Sequence, residues 1–110
     1  MFTEKQGKGK MEIKWSTQAE VSYLDNLNYW DNRNKSYTYS DKIEAALCEL
    51  EEEIAVSPYF LAQYIEHLGL YKRNFMSGKF AIYYQILEEE NLIRIIHFRS
   101  NKQRPLYTEN

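Results

Sequence analysis

The polar and apolar positions of the chain change their period along its length. Residues 11–15, MEIKW, alternate between apolar and polar side chains, which predicts a short strand. From Ser16 to the polar cluster at residues 31–34, apolar side chains recur at helical spacing. We therefore predict a first helix that has Ser16 as its N-cap and ends near that cluster. Its apolar side consists of Tyr23, Leu24, Leu27 and Trp30.

A second helix is predicted from Ser40 to the dipeptide Ser57-Pro58. Serine is a favourable N-cap, and proline disfavours the helical conformation in the residue before it. Residues 59–69 fit a short helical turn or a loop folded onto the core, and the pattern leaves both open. The second helix has one apolar stripe, made of Ile43, Ala46, Leu47, Leu50 and Ile54.

After Gly69 the period becomes two. Residues 70–76, 79–87 and 92–98 are rich in aromatic and branched side chains and predict three strands. Short turns separate them, at Ser77-Gly78 and at the run EEEN of residues 88–91. Three strands joined by two short turns predict an antiparallel meander.

The element order is thus one strand, two helices and three strands. Two amphipathic helices can cover only one face of a sheet, so we expect an α+β fold. Its small antiparallel sheet would contain the meander and the N-terminal strand, with the latter at an edge beside one of the later strands. We expect a single domain over residues 11–107, with flexible tails at residues 1–10 and 108–110.

Composition excludes several classes of protein. The 110-residue chain has one cysteine, Cys48, which excludes an intrachain disulfide and fits a reducing compartment. With only His67 and His97 beside it, we expect no metal site and no cofactor. No apolar run approaches the roughly 20 residues of a membrane span, and residues 1–10 lack the apolar core of a signal peptide. The expected location is the cytoplasm.

The charge is unevenly divided along the chain. The net charge is −2, but residues 1–69 carry 7 basic and 12 acidic side chains, whereas residues 70–110 carry 7 basic and 4 acidic ones. Three of those four acids lie together at the predicted turn of residues 88–90. The C-terminal part is therefore locally basic, which suits either a polyanion-binding surface or electrostatic pairing between the two parts of the chain.

Basic residues gather on the predicted meander and after its last strand. Arginine and lysine bind phosphate and tyrosine stacks on nucleobases, so the set is typical of RNA binding. A solvated sheet face is the alternative interpretation. Alternation places Lys72 and Arg73 on opposite faces of one strand. The residues expected to contact RNA or another target are Lys72, Lys79, Arg94, His97 and Arg99.

His97 adds a group that titrates near neutrality. Cleavage of RNA without a metal needs a base for the 2′-hydroxyl, cations for the charge on the phosphoryl group, and a proton donor for the leaving oxygen. His97, the arginines and Tyr107 are residue types that can fill these roles. The alternative is a packed strand histidine, and alternation places His97 with Ile95, opposite Arg94 and Ile96.

Two stretches resemble toxins of the RelE/ParE superfamily, which occur in bacterial type II toxin–antitoxin modules. They are MEIKWSTQAEVSYLDNLNYW (residues 11–30) and YKRNFMSGKFAIYYQILEEENLIRIIHFRSNKQRP (residues 71–105). The second contains a glycine-led strand with tyrosines, an acidic turn, an apolar strand and a basic end. The resemblance covers about residues 11–107. It implies the α+β fold described above and a cognate antitoxin that wraps the toxin.

The resemblance also implies a catalytic set. RelE-like members cleave mRNA in the ribosome without a metal. They carry basic residues on the first meander strand and an arginine near the start of the middle strand. At the C-terminal end they have a basic residue together with tyrosine or histidine. Arg73 matches the first feature, and Lys102 or Arg104 with Tyr107 matches the last. The middle position holds Phe80, with Lys79 beside it.

Two other functions are consistent with the same resemblance. ParE-like members inhibit DNA gyrase and lack the nuclease residues. An inactive relic that only binds its antitoxin is the third possibility. Because the C-terminal bases and Tyr107 are present, ribosome-dependent mRNA cleavage is the leading hypothesis.

Overall fold

The computed structural model describes residues 10–101 of the chain. They form two α-helices, five strands and one short 3-10 helix, and every helix and strand predicted above is present with shifted ends. In chain order the elements are β1 (Glu12–Trp15), α1 (Thr17–Asn34), α2 (Thr38–Val56), β2 (Gln63–Ile65), β3 (Leu70–Phe75), β4 (Phe80–Leu87), the 3-10 helix (Glu88–Glu90) and β5 (Leu92–Ser100).

The five strands join one sheet in the order β1-β5-β4-β3-β2. The α+β architecture is confirmed, and β1 lies at an edge as expected. The sheet is mixed rather than antiparallel, however, because β1 runs parallel to β5, from Glu12 opposite Leu92 to Trp15 opposite Ile95. Side chains alternate in both kinds of strand, so the hydrophobic pattern carries no information about strand direction.

The strand β2 is the element that the sequence pattern does not predict. Residues 59–69 contain a turn, this three-residue strand and a second turn, rather than one helical turn or one loop. Strand β2 pairs antiparallel with β3, with Ile65 opposite Leu70. Three residues are too few for alternation to be recognised. The strand is also masked in the sequence because Tyr64, an apolar residue by type, is exposed.

Both helices pack on one face of the sheet and bury their apolar sides there. Ile43 and Ile54 of α2 and Tyr84 of β4 are among the largest fully buried side chains. The whole predicted stripe of α2 joins this core, with Ala46 partly buried. The predicted side of α1 joins it as well, except for Leu24, which is 52% exposed. The helical periodicity therefore identified the core side of both helices.

Ser16 joins the first helix to the last strand. Its Oγ accepts a hydrogen bond from the Ala19 amide at 3.0 Å, which confirms it as the N-cap of α1. The same hydroxyl donates to the Ile96 carbonyl oxygen of β5, also at 3.0 Å. One side chain thus satisfies a free amide at the start of the helix and a carbonyl of the sheet.

The connection between the helices is shorter than predicted. The first helix runs through residues 31–34 and ends at Lys35, which has left-handed φ and ψ angles. Ser40 lies inside the first turn of α2 and does not cap it; its hydroxyl instead donates to Asp31 Oδ1 at 2.6 Å. Asp31 belongs to the polar cluster, so this hydrogen bond joins the first turn of α2 to the end of α1. Neither helix within residues 10–101 has the length and apolar character needed to cross a membrane.

Replacing Ser16 with alanine should lower the free energy of unfolding by about 1–2 kcal/mol, because the variant loses the N-cap and leaves the Ile96 carbonyl without this donor. Urea denaturation followed by circular dichroism measures the change. Thr17→Ala is the matched control, since Thr17 is exposed and lies one position later. Equal unfolding midpoints for the two variants would contradict the role assigned to Ser16.

Candidate nucleic-acid interface

Among the described residues, one face of the sheet is not covered by a helix. We define the open face as the strand side chains that point away from α1 and α2, as assigned by alternation from the buried core residues. They are Glu12 and Lys14 of β1, Gln63 and Ile65 of β2, Leu70, Lys72 and Asn74 of β3, Ala81, Tyr83, Gln85 and Leu87 of β4, and Leu92, Arg94, Ile96, His97 and Arg99 of β5.

A β-bulge at Ile96 decides which residues of β5 reach the open face. Tyr84 lies opposite Ile95, but Tyr83 lies opposite His97, so β5 contains one more residue than β4 at this point. The alternation predicted from the sequence is therefore interrupted. It was wrong in placing His97 with Ile95: His97 shares the open face with Arg94, while Ile95 is fully buried under the helices.

Tyr83 lies at the centre of the open face with a basic or titratable side chain on each neighbouring strand. The Lys72 ammonium is 5.7 Å from the centre of its ring, and the His97 ring meets it edge-on at 6.0 Å. Only 5% of Tyr83 is exposed, so its ring is the floor of this cluster rather than a stacking surface. Burial raises the pKa of the Tyr83 hydroxyl, and Arg99 opposes that shift.

The pKa of His97 is lowered, first by burial of the imidazole and second by the nearby positive charge of Arg99. A lowered pKa keeps the imidazole neutral near pH 7, so its unprotonated nitrogen can accept a proton. A neutral histidine among cations has the protonation state that a general base requires.

The open face is strongly biased towards positive charge. Among the strand residues that define it, four carry a positive charge and only Glu12 carries a negative one. Lys14 lies beside Arg94 in the parallel register, so two cations are held side by side. The four cations are Lys14, Lys72, Arg94 and Arg99. Their arrangement on a twisted, uncovered sheet suits a polyanion whose phosphates follow one another along a strand.

Arg73 lies on the other side of the sheet from this cluster. Lys72 and Arg73 do point to opposite faces, as alternation predicts. Arg73 is only 7% exposed; its guanidinium forms an ion pair with Glu53 of α2 at 2.5 Å and donates to the Phe60 carbonyl oxygen at 3.1 Å. These contacts join β3 to α2 and to the turn before β2, and they keep Arg73 away from the open face.

The remaining sequence candidates fall into two groups. Lys79 is exposed in the turn between β3 and β4, where its carbonyl oxygen accepts from the Asn101 amide at 2.9 Å. Lys102, Arg104 and Tyr107 lie outside the described residues, as do residues 1–9 and 108–110 of the expected tails. The structure therefore assembles Lys72, Arg94, His97 and Arg99 on one face and places Arg73 elsewhere.

Sequence reasoning did not assign Lys14 or Tyr83 to the candidate site, although both lie on the open face beside its predicted members. Lys14 was assigned to a strand but not to the site, because its proximity to Arg94 depends on the parallel pairing of β1 with β5. The position of Tyr83 on the open face could have been predicted from alternation along β4. Its sequence neighbours Ile82 and Tyr84 are fully buried on the helix side, so Tyr83 points the other way.

No group of three or more potential metal-ligating side chains is found among residues 10–101. Comparison of the sequence with models of protein families and with curated proteins finds no match.

Replacing Arg73 with methionine should lower the free energy of unfolding by about 1–3 kcal/mol, because the Phe60 carbonyl oxygen loses its donor and β3 loses its link to α2. The ion pair adds less than a fully buried one, since Glu53 is 45% exposed. Urea denaturation gives the measurement. Lys72→Met is the matched control on the same strand and should change stability by less than about 0.5 kcal/mol. Equal losses in both variants would refute the division of roles between the two residues.

The lowered pKa of His97 predicts a pH-dependent stability. Between its folded pKa and the ordinary value of 6.5, the unfolded chain binds more protons than the folded chain. The stability of the wild type should therefore fall relative to that of His97→Gln as the pH is lowered through 6.5, and the difference should become constant below the folded pKa. Urea denaturation at about pH 8 and about pH 5 tests this. Parallel pH profiles for the two proteins would contradict it.

Proposed function

We propose that this chain is the toxin of a type II toxin–antitoxin module of the RelE/ParE type and that it cleaves mRNA bound on the open face. The observation that carries the proposal is the cluster of Lys72, His97 and Arg99 around the buried ring of Tyr83. The cations Lys14 and Arg94 extend the same charge along β5 and β1. This cluster has the composition of a phosphate-binding surface that also contains a neutral base.

The chemistry of the proposed reaction is transfer of the phosphoryl group from the 5′ oxygen to the neighbouring 2′ oxygen. His97 accepts the proton of the 2′-hydroxyl as its oxygen bonds to phosphorus, and the bond from phosphorus to the 5′ oxygen breaks. Lys72 and Arg99 stabilise the charge that develops on the phosphoryl oxygens. The leaving 5′ oxygen needs a proton, and Tyr107 is the candidate donor from the resemblance. The products are a 2′,3′-cyclic phosphate and a 5′-hydroxyl end.

The proposed partners are the ribosome with its mRNA and a cognate antitoxin, in the cytoplasm. An exposed cationic face would bind RNA without discrimination unless it were covered, because phosphate contacts contribute affinity independent of sequence. An acidic antitoxin segment laid over Lys72 and Arg99 would compete directly with RNA. Toxicity and neutralisation would then depend on the same side chains.

A gyrase inhibitor without nuclease activity is the second candidate, and one observation favours it. Two positions that the resemblance assigns to nucleases present no cation on the open face: Arg73 is buried against Glu53, and Phe80 is 1% exposed in the core. In the nuclease proposal, Lys72 takes the place expected of Arg73. Its position next to Tyr83 on the open face supports that exchange.

Producing the chain alone in a bacterial host should arrest growth and create new mRNA 5′ ends in phase with codons within minutes. Replacing Lys72 with methionine should reduce the cleavage by at least tenfold, since a cation at the phosphoryl group is typically worth that much or more. Sequencing of total RNA 5′ ends gives the measurement. Lys42→Met is the matched control, because Lys42 is exposed on α2, away from the open face.

Three results would contradict the proposal. Growth arrest with intact mRNA would favour gyrase inhibition, which supercoiling assays with purified gyrase would then test. Unaffected growth at confirmed expression would favour an inactive antitoxin-binding relic. Equal cleavage by Lys72→Met and Lys42→Met would remove the open face from the reaction.

A further inference from the structure

A small aromatic cavity lies at the end of the sheet where β4 begins and β5 ends. Its volume is about 280 Å³, and its walls include Trp30 of α1, Tyr39 of α2 and Phe80 of β4. Lys79, Ser100 and Asn101 add polar atoms to its lining. Ligand pockets of roughly 300–1,000 Å³ hold drug-sized molecules, so a cavity of this size suits a single ring system.

The aromatic walls are held in a fixed arrangement. The rings of Trp30 and Tyr39 meet edge-to-face, with centres 4.8 Å apart at 65°, and the centres of the Tyr39 and Phe80 rings are 6.5 Å apart. The Arg33 guanidinium lies 6.0 Å from the centre of the Trp30 ring. These contacts set the walls before any ligand arrives, which reduces the entropy lost on binding.

The cavity is adjacent to the basic end of the open face. Phe80 lies opposite Ser100 in the sheet, and the next pair inward is Ala81 opposite Arg99. Ser100 therefore lines the cavity on the helix side, while Arg99 belongs to the open face one residue earlier. Lys79, in the turn at the same end, is an exposed cation at the rim.

We propose that this cavity receives one nucleobase of a single-stranded RNA whose phosphates are bound on the open face. Aromatic walls stack on the faces of a base, and Ser100 and Asn101 place polar atoms in the lining beside its edge. Lys79 at the rim and Arg33 beside Trp30 are cations that suit a phosphate next to the inserted base, and Arg99 continues the positive charge onto the open face. This inference rests on the proposed function, and it adds a base-binding pocket to a phosphate-binding face.

Two uncleavable oligomers separate the pocket from the face. A hexamer of 2′-O-methyluridylate offers bases and phosphates, whereas a hexamer of abasic 2′-O-methylribose phosphates offers the phosphates alone. In a Trp15→Phe background, Trp30 is the only tryptophan of the chain. The uridylate hexamer should bind more tightly and quench the Trp30 fluorescence, while the abasic hexamer should bind with little quenching.

A variant of the cavity wall sharpens the test. Replacing Tyr39 with leucine should weaken binding of the uridylate hexamer by about 5- to 100-fold and leave binding of the abasic hexamer unchanged, since stacking on one aromatic ring is worth 1–3 kcal/mol per base. Unchanged abasic binding also shows that the variant is folded. Tyr37→Leu is the matched control, because Tyr37 is close in sequence, 71% exposed and absent from the cavity lining.

Several outcomes would overturn the inference. Equal affinity of both oligomers with no quenching of Trp30 would refute base binding in the cavity, while phosphate binding on the open face would remain supported. Failure of both oligomers to bind would refute RNA binding as well. A change in Trp30 fluorescence on Tyr107→Ala before any oligomer is added would assign the cavity to the chain's own C-terminal tyrosine instead of RNA.

Discussion

The bulge at Ile96 is the constraint on which the candidate site depends. Without the extra residue, β5 would direct His97 towards the helices and into the hydrophobic core. Ser16 stabilises the bulge, because its hydroxyl donates to the Ile96 carbonyl while its own amide donates to the Ile95 carbonyl at 2.9 Å. The N-cap of α1 thereby fixes the histidine on the open face. A helix start and a candidate base are linked through one side chain.

The adjacent basic residues Lys72 and Arg73 of β3 have different environments because they lie on opposite faces of the sheet. Side chains alternate, so Lys72 reaches the open face and Arg73 reaches the helix layer. Arginine suits the buried position, because its fork can bond Glu53 and the Phe60 carbonyl at once. Lysine suits the partly buried position on the open face, where its ammonium lies 5.7 Å from the centre of the Tyr83 ring. The sequence resemblance alone assigns Arg73 to the candidate site. Because Arg73 is buried on the helix side, Lys72 becomes the candidate on this strand.

Much of the fold could be predicted from the sequence, because each helix and each long strand shows its own period. The stripe from Ile43 to Ile54 and the strands around Gly78 carry that signal clearly. The bulge, the direction of β1 and the short strand β2 could not be predicted, since all three depend on pairing between distant segments. These missing features also affected the prediction of the candidate site. His97 was assigned to the wrong side of the sheet and Lys14 was missed, because both positions depend on how β5 pairs with its neighbouring strands.

A chain with a net charge of −2 can still bind a polyanion if its charges are segregated. The acidic side chains Glu44, Glu49 and Glu52 of α2 are exposed in the helix layer, which lies across the sheet from the open face. Packed helices lie roughly 8–10 Å apart and packed sheets about 10 Å apart, so the thickness of a layer separates these carboxylates from the open face. Screening at physiological salt acts over roughly 8 Å between exposed charges, so it weakens the effect of these carboxylates on the potential over Arg94 and Arg99. The local field, rather than the net charge, therefore decides which partner approaches the open face.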